Sequence, residues 1–486
     1  MTKMLPEVFV SNKSLSSQIS KGIKKGEIRK LGSRVYTTNL KEPMEALVKR
    51  HAWFIVKKLF PGSVIVDRTA LEHRPADNGS IFLVSKKKRA VMLPGLSIIP
   101  RKGHAPLEQD NPFMGTLFLS CPARAFLENL CKRRNRKGEI SRTVSMKEIE
   151  ERLETMVQSG GNQALQTLRD EAKRIAPQMG LEKELKILDR LIGALLGTRQ
   201  AALSSPAAIA RVKGLPYDPN RLDLFQKLFE RLAQMATPVR QTFNEGPALY
   251  FFEAYFSNFI EGTEFQVEEA AEIVFKGRIP VHRPKDAHDI LGTYQIVSDP
   301  REMKTRAKNE DEFISILKRR HGFLMQGRPE IHPGEFKQVA NQAGATLFVH
   351  PDLVEGTLRK GFQWLQGLHT PFQRAVYMMF LISEVHPFDD GNGRCARIMM
   401  NAELASEEQT RIIVPTVFRE NYLSALKAMT HQGRAEPLIR SLDYLQKYTY
   451  QMEWDDFNKA YAMLLSTHAF EDSHSAEIVG HRLLLP

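Results

Sequence analysis

Between His386 and Arg397 the chain reads His-Pro-Phe-Asp-Asp-Gly-Asn-Gly-Arg-Cys-Ala-Arg, and these residue types suit a reaction on a bound phosphate. The His386 imidazole titrates near neutral pH and can take a proton from an attacking hydroxyl. Asp390 offers hard oxygen ligands of the kind that hold Mg²⁺ against phosphates. Asn392 can donate to a phosphate oxygen, and Arg394 and Arg397, three apart on one helix face, can fork onto phosphates. Gly391 and Gly393 permit positive φ and a close approach of backbone to ligand. Taken singly, each feature fits an ordinary Gly-Asn-Gly turn between packed helices. Together, at this spacing, they describe a nucleotide-transfer site.

Such a loop needs rigid elements on both sides. Phe372–Val385 is apolar almost all round, which predicts a buried helix. Pro387 ends it, because proline lacks a donor and disfavours α geometry at His386. Helical periodicity resumes over Arg394–Ala405. The predicted order is helix, glycine-containing loop, helix N-terminus, and the unpaired N–H groups at that terminus form an anion site. Phe388 is expected to point inward and pin the loop to the core.

The stretch resembles the Fic signature, His-x-Phe-x-Asp/Glu-Gly-Asn-Gly-Arg-x-x-Arg, at every fixed position. The resemblance implies transfer of AMP from MgATP to a Tyr, Thr or Ser hydroxyl of a protein. It implies His386 as base, Asp390 as metal ligand, Phe388 as anchor, and Gly391, Asn392, Gly393, Arg394 and Arg397 around the phosphates. Gly334–Val349 reads as a hairpin, with Phe336, Val339 and Leu347–Val349 flanking a turn at Gly344. It is similar to the family's substrate flap, which aligns a target by strand addition; Phe348 and Val349 lie at that edge, and Lys337 stands where many relatives have Arg. Arg419, Tyr422 and Leu426 fall where relatives enclose adenine.

Upstream, the run Ala248–Ile260 ends near Gly262 and carries Ser257 and Glu261 four apart, hence on one helix face. Ser257-Asn-Phe-Ile-Glu261-Gly262 resembles the Fic inhibitory motif, Ser/Thr-x-x-x-Glu-Gly/Asn. That resemblance implies a Glu261–Arg397 pair occupying the γ-phosphate region and inhibiting in cis. In some family members the same Glu positions water for removing AMP, so deAMPylation, alone or alongside AMPylation, is an alternative reading.

The 486 residues imply two to four domains. No apolar run has membrane-spanning length and no secretory leader is visible, and Cys121, Cys131 and Cys395 lack metal-ligand or disulfide spacing, so the expected location is cytoplasmic. Residues 1–150 hold 29 Lys and Arg against 13 Asp and Glu, an excess of +16, whereas the whole chain sums to +13. A positive excess confined to the first third points to a polyanion, nucleic acid first.

Within that third, a basic helix over Ser14–Lys25, then Glu27–Leu31, a turn at Gly32–Ser33 and Arg34–Thr37 suggest a winged-helix module. Lys21, Lys24, Lys25, Arg29, Lys30 and Arg34 would face DNA. Gly32-Ser-Arg-Val-Tyr36 and Pro61-Gly-Ser-Val-Ile-Val-Asp-Arg-Thr-Ala-Leu71 resemble AbiEi-type antitoxin regulators. Strands are expected at Val64–Val66, Ser80–Val84 and Thr116–Ser120, a basic linker at Lys132–Lys137, and leucine-rich helices over 145–200.

The expected fold class is mainly α: an all-α Fic domain with a β-hairpin flap, preceded by a basic α+β winged-helix-like domain. The expected segments are 1–130 basic α+β, 131–210 helical linker, 211–285 inhibitory region, 286–450 catalytic core and 451–486 C-terminal helix and tail. ATP as substrate and Mg²⁺ are the implied cofactors. Implied partners are a hydroxyl-bearing protein, the chain itself by self-modification or as a homodimer, and DNA through residues 1–130, with no membrane. Another class of reading is a DNA-binding transcriptional regulator or toxin–antitoxin fusion with a regulatory Fic domain.

Overall fold

Short β-branched runs shape the first part of the chain. A computed structural model describes residues 5–131, 140–242 and 245–486, so the basic cluster Lys132–Lys137 lies outside the described residues. The chain divides into two compact units, Met1–Val212 and Lys213–Pro486.

In the first unit, β1 (Val8–Val10) is followed by helix α1 (Ser16–Lys24) and by β2 (Arg29–Gly32) and β3 (Val35–Thr37). These strands form an antiparallel sheet in the order β1-β3-β2. The expected helix and hairpin are present, but β1 extends the hairpin to three strands. Among the described residues α1 is the one α-helix preceding the hairpin. Helices α2 (Met44–Arg50) and α3 (Ala52–Leu59) lead into a six-stranded mixed sheet. Its strands are β4 (Val64–Ile65), β5 (Ser80–Val84), β6 (Val91–Leu93), β7 (Leu96–Arg101), β8 (Asn111–Phe113) and β9 (Leu117–Leu119), in the order β6-β7-β5-β4-β9-β8. Strand β5 is buried along its whole length and pairs in parallel with β7, as an unbroken Ile-Phe-Leu-Val run suggests. Helix α4 (Asp67–Glu72) joins β4 to β5, and α5 (Pro122–Leu130) follows β9.

The leucine-rich segment folds as α6 (Met146–Met179), α7 (Glu182–Leu195) and α8 (Pro206–Val212). A capping box between Ser145 and Glu148 starts α6. Gly161, at φ 63° and ψ −170°, breaks the helix internally, where only a residue without Cβ sits cheaply. These helices share one apolar core with the sheet, running from Val8 to Ala208. Helices α6, α7 and α8 therefore pack within the first unit. Some of the positive excess is internal: Arg124 is fully buried between Asp110 (2.5 Å) and Glu128 (3.2 Å), and Arg101 is paired with Asp67 at 2.8 Å.

The second unit is helical: α9 (Pro219–Ala233), α10 (Pro247–Ile260), α11 (Val267–Lys276), α12 (Pro284–Ser298), α13 (Pro300–Lys304) and α14 (Glu310–Leu324) precede a two-stranded hairpin of β10 (Gln342–Ala343) and β11 (Thr346–Leu347). Then come α15 (Val354–Leu365), α16 (Pro371–Val385), α17 (Asn392–Ala405), α18 (Arg419–Gln432), α19 (Ala435–Gln451), α20 (Phe457–Ser466) and α21 (Ser473–Val479). Helix α16 is the axis of this unit. It is buried almost all round, is started by a capping box between Thr370 and Gln373, and is packed by α9, α15, α17 and α19. Among the described residues, no helix is long and apolar enough to cross a membrane.

Candidate active site

Helix α16 ends at His386, whose backbone is left-handed (φ 52°, ψ 60°) and whose N–H still closes onto Ile382 O at 2.9 Å. Pro387 forces that exit, because α geometry before a proline is disfavoured. The chain turns through Phe388–Gly391 and re-enters a helix at Asn392. Gly391 takes φ 74°, and a Cβ on it would lie 2.7 Å from Met325 Sδ, so no other residue fits without displacement. The first amides of α17, at Asn392, Gly393 and Arg394, have no intrahelical acceptor and make its N-terminus a positive pole.

The loop is braced from within. Asn392 Oδ1 accepts from Phe388 N–H and its Nδ2 donates to Phe388 O, both at 2.8 Å. The Asn392 amide, expected on a phosphate, is thus largely committed to holding the turn. Phe388 is fully buried, as expected of an anchor, and stacks face to face on His321 with ring centroids 3.6 Å apart. His321 Nδ1 accepts from Gly334 N–H and its Nε2 faces Asp390 O, each at 2.9 Å, which defines the Nε2–H tautomer. Burial lowers its pKa to about 4, so the ring is neutral and serves as a strut.

The His386 ring is half-buried and stacks on Phe348 with centroids 3.8 Å apart. Its Nδ1 lies 3.4 Å from Ser383 O, a long contact that favours Nδ1–H and leaves Nε2 as the acceptor. Desolvation, aided by the nearby Lys337 charge, lowers its pKa to about 4. The imidazole is therefore neutral at pH 7, the form that can receive a proton.

Asp390 is 51% exposed; its Oδ1 accepts from Gly391 N–H at 2.6 Å and its Oδ2 lies 3.6 Å from Arg394. An outward carboxylate oriented at a helix N-terminus fits a Mg²⁺ ligand. Arg394 is buried and donates to Asp289 Oδ2 at 2.6 Å, while Asp289 also receives Arg328 at 2.8 Å. Arg394 thus leans on a carboxylate of α12 instead of facing an open phosphate site. Arg397 is buried too: Nε donates to Ser257 Oγ (2.9 Å), and Nη2 donates to Ser257 O (2.8 Å) and to Glu261 Oε1 (2.7 Å).

Glu261 caps α10, with Gly262 behind it at φ 89°. Its carboxylate reaches the first turn of α17, where a Cβ on Gly393 would fall 2.1 Å from Oε1. The structure thus brings Ser257 and Glu261 onto Arg397. Tyr422, expected near adenine, is fully buried with its hydroxyl toward Met379 Sδ at 3.6 Å and toward Arg397. It is buried and not on an open face. On the same helix, Arg419 donates to Ile260 O at 3.1 Å.

The hairpin is shorter than expected, spanning 342–347 instead of 334–349, and Phe348 and Val349 follow it. Its base is bolted to the loop. Lys337 N–H donates to Pro387 O (2.9 Å) and its Nζ to Asn341 Oδ1 (2.6 Å), while Asn341 Nδ2 donates to Phe388 O (3.0 Å). Asn341, His321 and Asp289 escaped sequence reading because their partners Phe388, Asp390 and Arg394 lie tens of residues away. Of the basic residues assigned to DNA, Lys21, Lys24, Lys25 and Lys30 are exposed. Arg29 is half-buried and donates to Glu42 O at 2.6 Å, whereas Arg34 is exposed while donating to Ser11 O at 3.0 Å.

The structure thus brings a neutral imidazole to the mouth of a glycine loop, with a helix N-terminus behind it. Residues 314–404, which hold the loop, match the Fic/DOC family model and carry a Fic domain. Protein adenylyltransferase fic-1 of Caenorhabditis elegans is 22% identical over 263 residues, 49% of this chain and 51% of that protein. Protein adenylyltransferase Fic of Nematostella vectensis is 26% identical over 253 residues, 50% and 57% of the two chains. The chain thus spans about half the length of these curated relatives. A Fic domain-containing signaling protein of Bacteroides thetaiotaomicron aligns over 47% of this chain and 92% of its own, at 20% identity and TM-score 0.36.

Proposed function

We propose that this chain is a protein adenylyltransferase, held back in cis by Glu261. The observation that carries the reading is the neutral His386 imidazole at the mouth of the phosphate loop. In the reaction, Nε2 of His386 takes the proton of a Tyr, Thr or Ser hydroxyl. The freed oxygen bonds to the α-phosphorus of ATP as the bond from that phosphorus to the α–β bridging oxygen breaks, and pyrophosphate leaves. The amides at the start of α17 receive the phosphates. Mg²⁺ held by Asp390 would neutralise phosphate charge. Positioning and charge neutralisation supply most of the acceleration in such transfers.

The brake rests on the Glu261 carboxylate against Arg397 and Gly393. A negative charge at that turn repels a triphosphate and takes the guanidinium that would bind it. Wild type, Glu261→Gly and Glu261→Gly/His386→Ala are incubated with Mg²⁺, α-labelled ATP and a cell lysate. Label on protein in Glu261→Gly alone, at least roughly tenfold above wild type as removal of a charged hydrogen bond allows, supports both base and brake. Equal labelling in wild type and Glu261→Gly rules out the brake, and equal labelling in the double variant rules out the base.

A second reading, removal of AMP, is favoured by one feature: Glu261 spends Oε1 on Arg397 yet stays 30% exposed, leaving carboxylate surface to orient water. For the first unit, exposed Lys21, Lys24, Lys25 and Lys30 support DNA as partner, and the whole reading fits a cytoplasmic protein.

A further inference from the structure

We propose that His468, Glu471 and His481 form a Zn²⁺ site that clips the segment after α21 onto the turn after α20. His468 lies in that turn, Glu471 just before α21, and His481 just beyond Gly480, which ends α21. Their ligand atoms all lie within 4.8 Å of one another. His468 Nδ1 is 2.6 Å from Glu471 Oε1, and His481 Nδ1 is 2.9 Å from Glu471 Oε2 and 3.2 Å from Oε1. The two rings stand 4.2 Å apart at 30°.

Tetrahedral Zn²⁺ with bonds of about 2.0–2.2 Å separates neighbouring ligand atoms by roughly 3.3–3.5 Å. The two His–Glu contacts, at 2.6 and 2.9 Å, are about 0.4–0.9 Å inside that spacing, and rotamer shifts of the partly exposed side chains open it. Solvent can fill the fourth position. Two imidazoles and a carboxylate suit Zn²⁺, whereas a carboxylate without imidazole partners suits Mg²⁺.

His468 takes φ 65° as the left-handed residue that closes α20, with Ala469 N–H donating to Leu464 O at 2.9 Å. The segment is also tied down: Leu484 N–H donates to Thr467 O (3.3 Å), and Tyr444 donates to Leu483 O (2.7 Å). Ser473 Oγ donates to Thr416 O at 2.8 Å, just ahead of α18. An ion at this clip would stiffen the entry to the helix that carries Arg419 and Tyr422.

The test uses the full chain, stripped with EDTA and dialysed. Calorimetric titration with ZnCl₂ is expected to show one ion per chain with proton release, and MgCl₂ no binding that depends on these residues. His468→Ala and His481→Ala should each weaken Zn²⁺ binding at least roughly tenfold. Glu471→Gln, which keeps the shape of the side chain but removes its charge, should weaken it as well. Zn²⁺ should raise the melting temperature of wild type and not of the variants. Metal-free melting curves that coincide establish that the variants fold. No Zn²⁺ uptake at 100-fold excess over protein, or equal uptake by wild type and His468→Ala/His481→Ala, overturns the site and leaves a hydrogen-bonded His–Glu–His latch.

Discussion

Glu261 restrains Arg397 through one oxygen, and Ser257 holds the same guanidinium through two. The two restraints separate by substitution. Ser257→Ala removes the bond to Nε but keeps the Glu261 charge, so its labelling rate should fall between wild type and Glu261→Gly. The same labelled-ATP assay reads this. His321 gives a prediction in stability. Its native pKa is about 4 against an ordinary 6.5, so between those values the unfolded chain binds the extra proton. Stability is therefore full above pH 6.5 and is lost as pH falls toward 4, by up to about 3 kcal/mol at ~1.4 kcal/mol per unit. Urea unfolding at pH 7.5 and pH 5 measures the loss, and His321→Phe, which keeps the stack on Phe388, should flatten it.

Two elements set the site's geometry, the loop between α16 and α17 and the base of the hairpin. Gly391→Ala combines a strained φ of 74° with a contact at 2.7 Å, and should cost about 1–3 kcal/mol in denaturant unfolding. Lys337 joins hairpin to loop and places a positive charge near His386. That charge favours neutral imidazole, so Lys337→Met should raise the pKa of His386. In the Glu261→Gly background, the acid limb of the rate should move upward in pH from about 4. A pH–rate profile that keeps its midpoint while the maximal rate falls assigns Lys337 to the loop alone.

At the scale of the whole molecule, the larger apolar core of each unit draws, among the described residues, on that unit's own side chains, within 8–208 and within 225–483. Residues 213–486 expressed alone should melt cooperatively and, with Glu261→Gly, label protein as the full chain does. A chain that fails to melt cooperatively by calorimetry refutes that independence. The first unit has its own test. If Lys21, Lys24, Lys25 and Lys30 meet duplex phosphates, changing all four to Ala should reduce the slope of log K against log salt by roughly 0.9 for each phosphate no longer neutralised. An unchanged slope moves DNA elsewhere on the unit.

The phosphate loop was legible because its chemistry is contiguous: His386, Phe388, Asp390 and Gly391 lie within the turn between helices and Gly393 opens the next one, and local rules decide their conformation. Helix α16 was legible from its apolar run, and strands β4, β5 and β9 from their β-branched runs. The Ser257–Glu261 face followed from helical spacing, although its meeting with Arg397 came from resemblance. Tertiary structure decided what these groups touch. Arg394 turns to Asp289, 105 residues away, because a buried guanidinium needs a carboxylate. Asn392 closes onto Phe388, Tyr422 is buried, and the 131–210 helices join the first core, since leucine spacing marks an apolar face without naming its partner. Local sequence settles backbone geometry within a few residues, whereas desolvation and long-range packing choose the pairings that tune the site.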